Sequence, residues 1–277
     1  MTSSTEASAQ RAAFRDDGVV LLRGVFDAAS LAEAQRAYEW SLAHPSRGAS
    51  SFPGSDGVFY QDLANRDAWP AYMRLVQESP AADLVGALWD SADVWFMYEQ
   101  VFRKEGGKTR RTPWHQDTSY LPITGQRLVV LWISFDPVAK EAALEFVRGS
   151  HRGLLYDGSR FDPDDDTAPL YGDGSMPRLP DIERARERFD IVSFPVEPGD
   201  VVAFHPSMLH GGAPTPGGGG RRTLSLRFFG DDVRYAPRAG FSGMLPDEPT
   251  TYFEELPARL QPGDPFRHPG FPKVRPL

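Results

Sequence analysis

The residues able to do chemistry gather in a few short stretches. In "TPWHQDTSY" (112–120) a histidine and an aspartate stand two positions apart. Residues i and i+2 of a strand point to the same face, and Pro113 argues against helix at its neighbour. If "PWHQD" is extended, His115 and Asp117 project together and Gln116 projects away. Two donors on one side of a cation leave its other side open. Non-haem iron(II) oxygenases use such a two-histidine, one-carboxylate arrangement. The spacing alone recurs by chance in many chains, so the site requires a third donor from elsewhere.

The chain has six histidines: 44, 115, 151, 205, 210 and 268. Two of them lie in "FHPSMLHGGAPT". His210 precedes Gly211 and Gly212, where small residues let a ligand approach the backbone closely. His205 sits inside an apolar run before Pro206 and reads as a buried structural histidine. His151, at the end of "EFVRGSH", reads as a turn residue with local hydrogen bonds. His210 is the favoured third donor.

An oxygenase of this kind also needs an electron donor. 2-Oxoglutarate would chelate the metal through its keto-acid end, and its distal carboxylate needs a cation. The arginine fork suits that task. Arg221 and Arg222 open the next strand, "RRTLSLRFFG". Arg221 shares a face with Thr223, Ser225 and Arg227, a polar wall. Arg222 shares a face with Leu224, Leu226 and Phe228, a packed core. Arg221 is therefore favoured, and the opposite register would put Arg222 in its place.

The elements that must position these residues follow from periodicity. Val19 to Phe26 reads as a strand. "SLAEAQRAYEWSLA" reads as a helix with Ser30 and Glu33 as a capping box and His44-Pro45 as its end. A helical region from Ala68 to Trp89 is split by Ser79-Pro80. After about Ala92 the pattern turns to strands: Asp93 to Lys104, Gln126 to Val138 and Arg221 to Gly230, with Ala142 to His151 as strand then turn. Asp190 to Pro206 reads as strand, Pro-Gly-Asp turn, strand. Between them, residues 154–189 form a long segment with few strand signals and a short charged helix, "DIERARER". Long loops in compact domains are often lids. Helices first and antiparallel strands later argue for one α+β domain over residues 1–277, built on a β-barrel or sandwich.

Composition excludes several classes. There is no cysteine, hence no disulfide, thiolate metal site or cysteine nucleophile. A net charge of −8 argues against nucleic acid or an anionic membrane as partner. No apolar run is long enough to span a bilayer, and the polar N-terminus lacks a secretory pattern, so a cytoplasmic location is expected. The basic cluster Lys104, Lys108, Arg110 and Arg111 reads as surface charge, or as a local attractor for an anion. "DPDDD" (162–166) lacks the ligand spacing of a calcium loop. "PGGGG" (216–220) lacks the Lys-Ser/Thr of a phosphate loop.

From "FRDDGVVLLRGVF" to "RRTLSLRFFG", the chain resembles the phytanoyl-CoA dioxygenase family of iron(II)- and 2-oxoglutarate-dependent oxygenases. "WHQDTSY" is similar to the family's His-Gln-Asp motif, "LEFVRGSHRG" to its Gly-Ser-His turn and "GDVVAFHPSMLHGGAPT" to its distal-histidine segment. The step from His210 to Arg221 matches the family's gap to its 2-oxoglutarate arginine. The resemblance implies a mainly β fold: a double-stranded β-helix (jelly-roll, cupin-like) core with flanking N-terminal helices. It implies Fe(II) on His115, Asp117 and His210, and 2-oxoglutarate on Arg221 near Trp132 and Gln100. O2 is the co-substrate, and succinate and CO2 are coproducts. The reaction it implies is hydroxylation of a small organic substrate, with 154–189 as a lid-like insertion. Desaturation, cyclisation, epimerisation or endoperoxide formation on the same centre is the alternative, and a non-catalytic ligand-binding barrel is the alternative of another class. Two departures stand out. Arg148 replaces the proline before Gly-Ser-His. Gly212 replaces a serine whose hydroxyl would have to come from Thr223 or Ser225. Asp117 retains the carboxylate that family halogenases lack.

Overall fold

The computed structural model describes residues 4–51, 57–106, 110–215, 220–238 and 252–277. Lys108 and residues 216–219 of "PGGGG" lie outside the described residues. Five α-helices are described: α1 (Ser4–Asp17), α2 (Ala28–Ala43), α3 (Trp69–Glu78), α4 (Ala81–Trp89) and the one-turn α5 (Leu256–Arg259). The strands in chain order begin with β1 (Val19–Leu22), β2 (Ser50–Ser51), β3 (Gly57–Leu63), β4 (Val94–Gly106) and β5 (Thr112–His115). Next come β6 (Ile123–Thr124), β7 (Leu128–Ser134), β8 (Leu144–Val147), β9 (Ile191–Ser193) and β10 (Val201–Phe204). The last are β11 (His210–Gly212), β12 (Arg221–Phe229), β13 (Arg234–Tyr235) and β14 (Lys273–Arg275).

The major sheet runs β1-β10-β7-β12-β4-β3-β2, with β14 added on β4. The minor sheet runs β5-β11-β8-β9. The named strand pairs are antiparallel. This is the mainly β, double-stranded β-helix architecture with helices at its N-terminal flank.

Strand β7, "LVVLWIS", is buried at every position, because both faces of the major sheet are covered. On the outer face, Val129, Leu131 and Ile133 join Leu224, Leu226 and Phe228 of β12 in the largest apolar cluster, packed against Phe14, Tyr38, Tyr72, Leu75 and Val85 of the helices. On the inner face, Val130 and Trp132 join Phe146, Phe204 and Met208. No described helix is long and apolar enough to cross a membrane.

Four local expectations change. Helix α2 starts at Ala28 and its N-cap is Asp27, whose carboxylate accepts from the Ser30 amide at 2.8 Å. Ser30 is thus already inside the helix, and Glu33 pairs with Arg36 and Arg74 rather than closing a capping box. The strand through "PWH" ends at His115, and Asp117 opens a 3-10 turn, Asp117–Tyr120. The two strands around Pro198-Gly199-Asp200 do not pair: β9 belongs to the minor sheet and β10 to the major. The charged stretch Glu183–Arg188 is a 3-10 segment kinked at Ala185, not an α-helix.

Candidate metal centre and adjoining pocket

The minor sheet sets the two histidines face to face. His210 on β11 is the direct cross-strand partner of His115 on β5, and their rings lie 4.2 Å apart. The glycines after His210 make this approach tolerable. A Cβ on Gly211 would lie 2.9 Å from the Thr112 carbonyl oxygen. Asp117, just past the end of β5, brings Oδ1 to 3.3 Å from His115 Nε2 and 3.7 Å from His210 Nε2. One donor atom from each of the three residues falls within a 4.8 Å cluster, and all three residues are buried.

Ring orientation decides what the cluster can bind. His115 Nδ1 donates to the Pro113 carbonyl at 2.8 Å, and His210 Nδ1 to the Met208 carbonyl at 2.9 Å. A carbonyl accepts only, so each Nδ1 carries the proton and each Nε2 presents a lone pair to the centre. Burial, then the neighbouring His115, pushes His210 down to about 4, so it is a neutral donor at neutral pH. For Asp117, burial works to raise the carboxyl's pKa, but the Arg227 charge outweighs it and holds it well below the usual range. Two imidazole lone pairs and one carboxylate on one side, with open positions opposite, fit a divalent transition metal such as iron(II).

Arg227 on β12 fixes the carboxylate. Its Nη2 donates to Asp117 Oδ2 at 2.8 Å and to Gln100 Oε1 at 2.7 Å. Gln100 in turn donates to Gln61 Oε1 at 2.9 Å. The guanidinium carbon lies 4.7 Å from the centre of the Tyr98 ring. Asp117, just past the end of the minor sheet, is thus oriented by a polar chain on the major sheet. The alternation of β12 displayed Arg227 on this face, but nothing in the sequence linked it to Asp117, because the contact spans 110 residues.

The pocket beside this centre is lined by Arg221, Thr223, Ser225 and Arg227 from β12, by Gln100 and Lys104 from β4, and by Trp132 from β7. Arg222 points the other way and pairs with Asp136. Arg221 is 6% exposed, donates to the Ala142 carbonyl and lies 5.8 Å from the Trp132 ring centre. Burial lowers its pKa to about 10, so it stays a cation at neutral pH. Among the described residues it faces no carboxylate within ion-pair distance. Lys104, read from sequence as part of a surface cluster, is in fact buried in this pocket, 1% exposed. The inward alternation Tyr98, Gln100, Phe102, Lys104 carried that signal.

The remaining candidates fall elsewhere. His205 is buried outside the cluster, its Nδ1 accepting from the Ser207 amide at 3.1 Å. His151 bonds the Arg15 carbonyl at the end of α1 rather than its own turn. In "DPDDD", Asp166 pairs with Arg110 and Asp165 with Arg178. Gln116 points away from the metal ligands. Its amide donates to the carbonyls of Leu154 (3.1 Å) and Ser207 (2.8 Å), and its Oε1 accepts from the Tyr156 amide at 2.8 Å. That staple anchors the start of the 154–189 segment, which also sends Phe161 into the pocket wall.

Known proteins share stretches of this sequence and its fold. The sequence profile of the phytanoyl-CoA dioxygenase (PhyH) family matches residues 14–223. The human peroxisomal phytanoyl-CoA dioxygenase is 30% identical over 139 residues, half of this chain and 39% of the human protein. A probable phytanoyl-CoA dioxygenase of Caenorhabditis elegans is 26% identical over 156 residues, 54% of this chain and 47% of the worm protein. These matches therefore span less than half the length of those relatives. Among solved structures, the non-heme alpha ketoglutarate dependent epimerase SnoN from nogalamycin biosynthesis superposes with TM-score 0.72 at 21% identity, covering 99% of this chain and all of SnoN. SnoN has also been solved in complex with Fe3+ and alpha ketoglutarate. EctD from S. alaskensis superposes with TM-score 0.66 at 21% identity, covering 89% and 82% of the two chains. The fold is shared with both, and the profile match over most of the chain places this protein in the phytanoyl-CoA dioxygenase family.

Proposed function

We propose that this chain is an Fe(II)- and 2-oxoglutarate-dependent dioxygenase that hydroxylates an unactivated C–H bond of a small organic substrate. One observation carries the reading. Three buried donors converge in the same pocket as a buried guanidinium that has no carboxylate of its own among the described residues. A cation held there without a counter-ion is costly, and a ligand carboxylate would offset that cost.

Iron and 2-oxoglutarate, when bound, supply the oxidation, with O2 consumed and succinate and CO2 released. The chain's own residues do the rest. His115, Asp117 and His210 would hold the metal on one side. Arg227 keeps the Asp117 carboxylate aimed. Arg221 takes the distal carboxylate, with the Thr223 hydroxyl on the same face and Trp132 and Gln100 as walls. Phe161, Tyr120 and Leu121 give the pocket an apolar lining that excludes water. Residues 154–189 act as the cover over bound substrate.

The solved relatives include an epimerase, a carbocyclase and EctD with bound 5-hydroxyectoine. One architecture thus hosts several outcomes, and the placement of the substrate decides among them. The first test is anaerobic addition of Fe(II) and 2-oxoglutarate, read by the weak visible charge-transfer band of the chelate. The wild type should show the band, His210→Ala should lose it, and Arg221→Ala should need much more 2-oxoglutarate to reach it. Iron-loaded wild type with no band at saturating 2-oxoglutarate would reject the proposal.

A further inference from the structure

The pocket has two unlike ends. Along β12 and its partner β4, Arg221 opposes Lys104 at one end and Arg227 opposes Tyr98 at the other. Arg227 also holds Asp117, so the metal ligands lie toward the Tyr98 end. The distal carboxylate of 2-oxoglutarate is assigned to Arg221, at the first end. The second end is walled by Leu63, Tyr98, Tyr120, Leu121, Phe161 and Phe253. Besides the metal ligands, the one charged side chain lining this end among the described residues is Arg227, and Asp117 already matches its charge.

The rings of this end meet one another around the centre. Phe253 packs edge-on against Tyr98, with ring centres 5.6 Å apart, and Leu63 and Leu121 belong to the same apolar cluster. Phe161 and Tyr120 stack at 6.0 Å. Both meet the His115 ring edge-on, at 5.4 and 6.1 Å. The Tyr120 hydroxyl is taken up by the Ser159 carbonyl at 2.7 Å. Phe161 is held here in a strained backbone. Its φ is 56°, in the left-handed region that a bulky residue rarely adopts. Its neighbours enforce that conformation. Ser159 Oγ accepts from the Phe161 amide at 3.0 Å. Arg110 fixes the following turn through the Asp162 carbonyl at 2.7 Å and through the Asp166 carboxylate. Strain of this kind clusters at ligand clamps.

We infer that this end takes an uncharged, ring-bearing apolar part of the substrate, packed against Phe161, and that Phe161 determines the preference. A ring entering here gains apolar burial and ring-to-ring contact. A carboxylate or phosphate entering here loses its hydration and meets no unmatched cation to replace it. This rests on the function proposed above and adds its substrate class.

The experiment uses two probes of nearly the same shape. 2-Acetylnaphthalene is neutral, and 2-naphthoate carries a carboxylate where the first has its acetyl group. Each is titrated anaerobically, by calorimetry, into wild type, Phe161→Ala and Phe161→Lys loaded with Fe(II) and saturating 2-oxoglutarate, which occupies the cation end. The wild type should bind the ketone roughly tenfold or more tightly than the acid. Ketone binding should also shift the charge-transfer band, which places the probe beside the metal. Phe161→Ala should weaken the ketone roughly tenfold, the range of a lost ring contact with its buried area. Phe161→Lys supplies a cation and should turn the preference toward the acid. Equal affinity of the wild type for both probes would overturn the inference. So would no binding of the ketone up to its solubility limit, or an unchanged preference in Phe161→Lys. Failure of the cosubstrate reading has a different signature, a wild type that forms no charge-transfer band with 2-oxoglutarate. Ketone binding that is weakened in Phe161→Ala would then still support the aromatic chamber, and its absence would overturn it.

Discussion

Asp117 serves two partners at once. One oxygen faces the two imidazoles, and the other is held by the fork of Arg227. The carboxylate is therefore aimed before any metal arrives. Arg227→Leu removes that support and also releases Gln100. Iron(II) affinity should fall by about 10- to 100-fold, the usual cost of losing an orienting partner of a ligand. Arg227→Lys should recover only part of it, because an ammonium cannot span Asp117 and Gln100 as a fork does. Iron titrations of the three proteins check this. Equal affinities would deny Arg227 a positioning role. The faces of β12 were legible in sequence, though the link from Arg227 to Asp117 was not. Strict alternation put Arg221, Thr223, Ser225 and Arg227 on one face and Leu224, Leu226 and Phe228 on the other. The same alternation on β4 carried Lys104 inward. It was missed because Lys108, Arg110 and Arg111 beside it look like solvated charge.

At the scale of the element, helix α2 shows how a local pattern misleads. Ser30-x-x-Glu33 has the form of a capping box, yet Asp27 lies three residues earlier and also has cap chemistry. Ala28 and Ala29 are strong helix formers, so the helix extends back to the earlier cap. Asp27→Ala should destabilise the fold by loss of the cap hydrogen bond. Urea denaturation should show a lower midpoint with unchanged slope, and iron binding should be unaffected. A midpoint equal to the wild type would mean that Ser30 can take over the cap. The split at Ser79-Pro80 was readable for the converse reason. Only one signal is present there, and the Ser79 hydroxyl accepts from the Ala81 amide at 3.3 Å. The "WHQD" stretch falls between these cases. Proline set the strand, but the turn at Asp117 depends on the Thr118 amide reaching the Pro206 carbonyl, a contact from far along the chain.

At the scale of the whole molecule, strand order was the least legible feature. Periodicity marks a strand and its faces but does not name its partner. The separation of β9 from β10 into different sheets arises from tertiary pairing alone. That packing also buries Glu99, which faces away from the pocket next to Gln100. Burial raises its carboxyl to about 8, outweighing the hydrogen bond from the Asn65 amide. Its second oxygen has no hydrogen-bond partner. The folded protein then holds a proton that the unfolded chain releases above about 4.5. Stability from this group is full below that value and is lost as pH rises toward 8. Glutamine mimics the protonated form. Relative to wild type, Glu99→Gln should gain stability from pH 5 to pH 8, by up to ~1.4 kcal/mol per pH unit. Denaturation midpoints at pH 5, 6.5 and 8 test the trend, and a pH-independent difference would refute it.

The pairing of Asp117 with Arg227 has a further consequence for the metal-free protein. In small zinc domains the ion assembles the fold, and chelation unfolds it. Here the joint between the two sheets is closed by the chain itself, through a buried carboxylate and a buried guanidinium. This joint does not wait for a metal, so chelator-treated protein should keep a cooperative unfolding transition; loss of that transition on chelation would show that the ion, not the pair, closes the sheets.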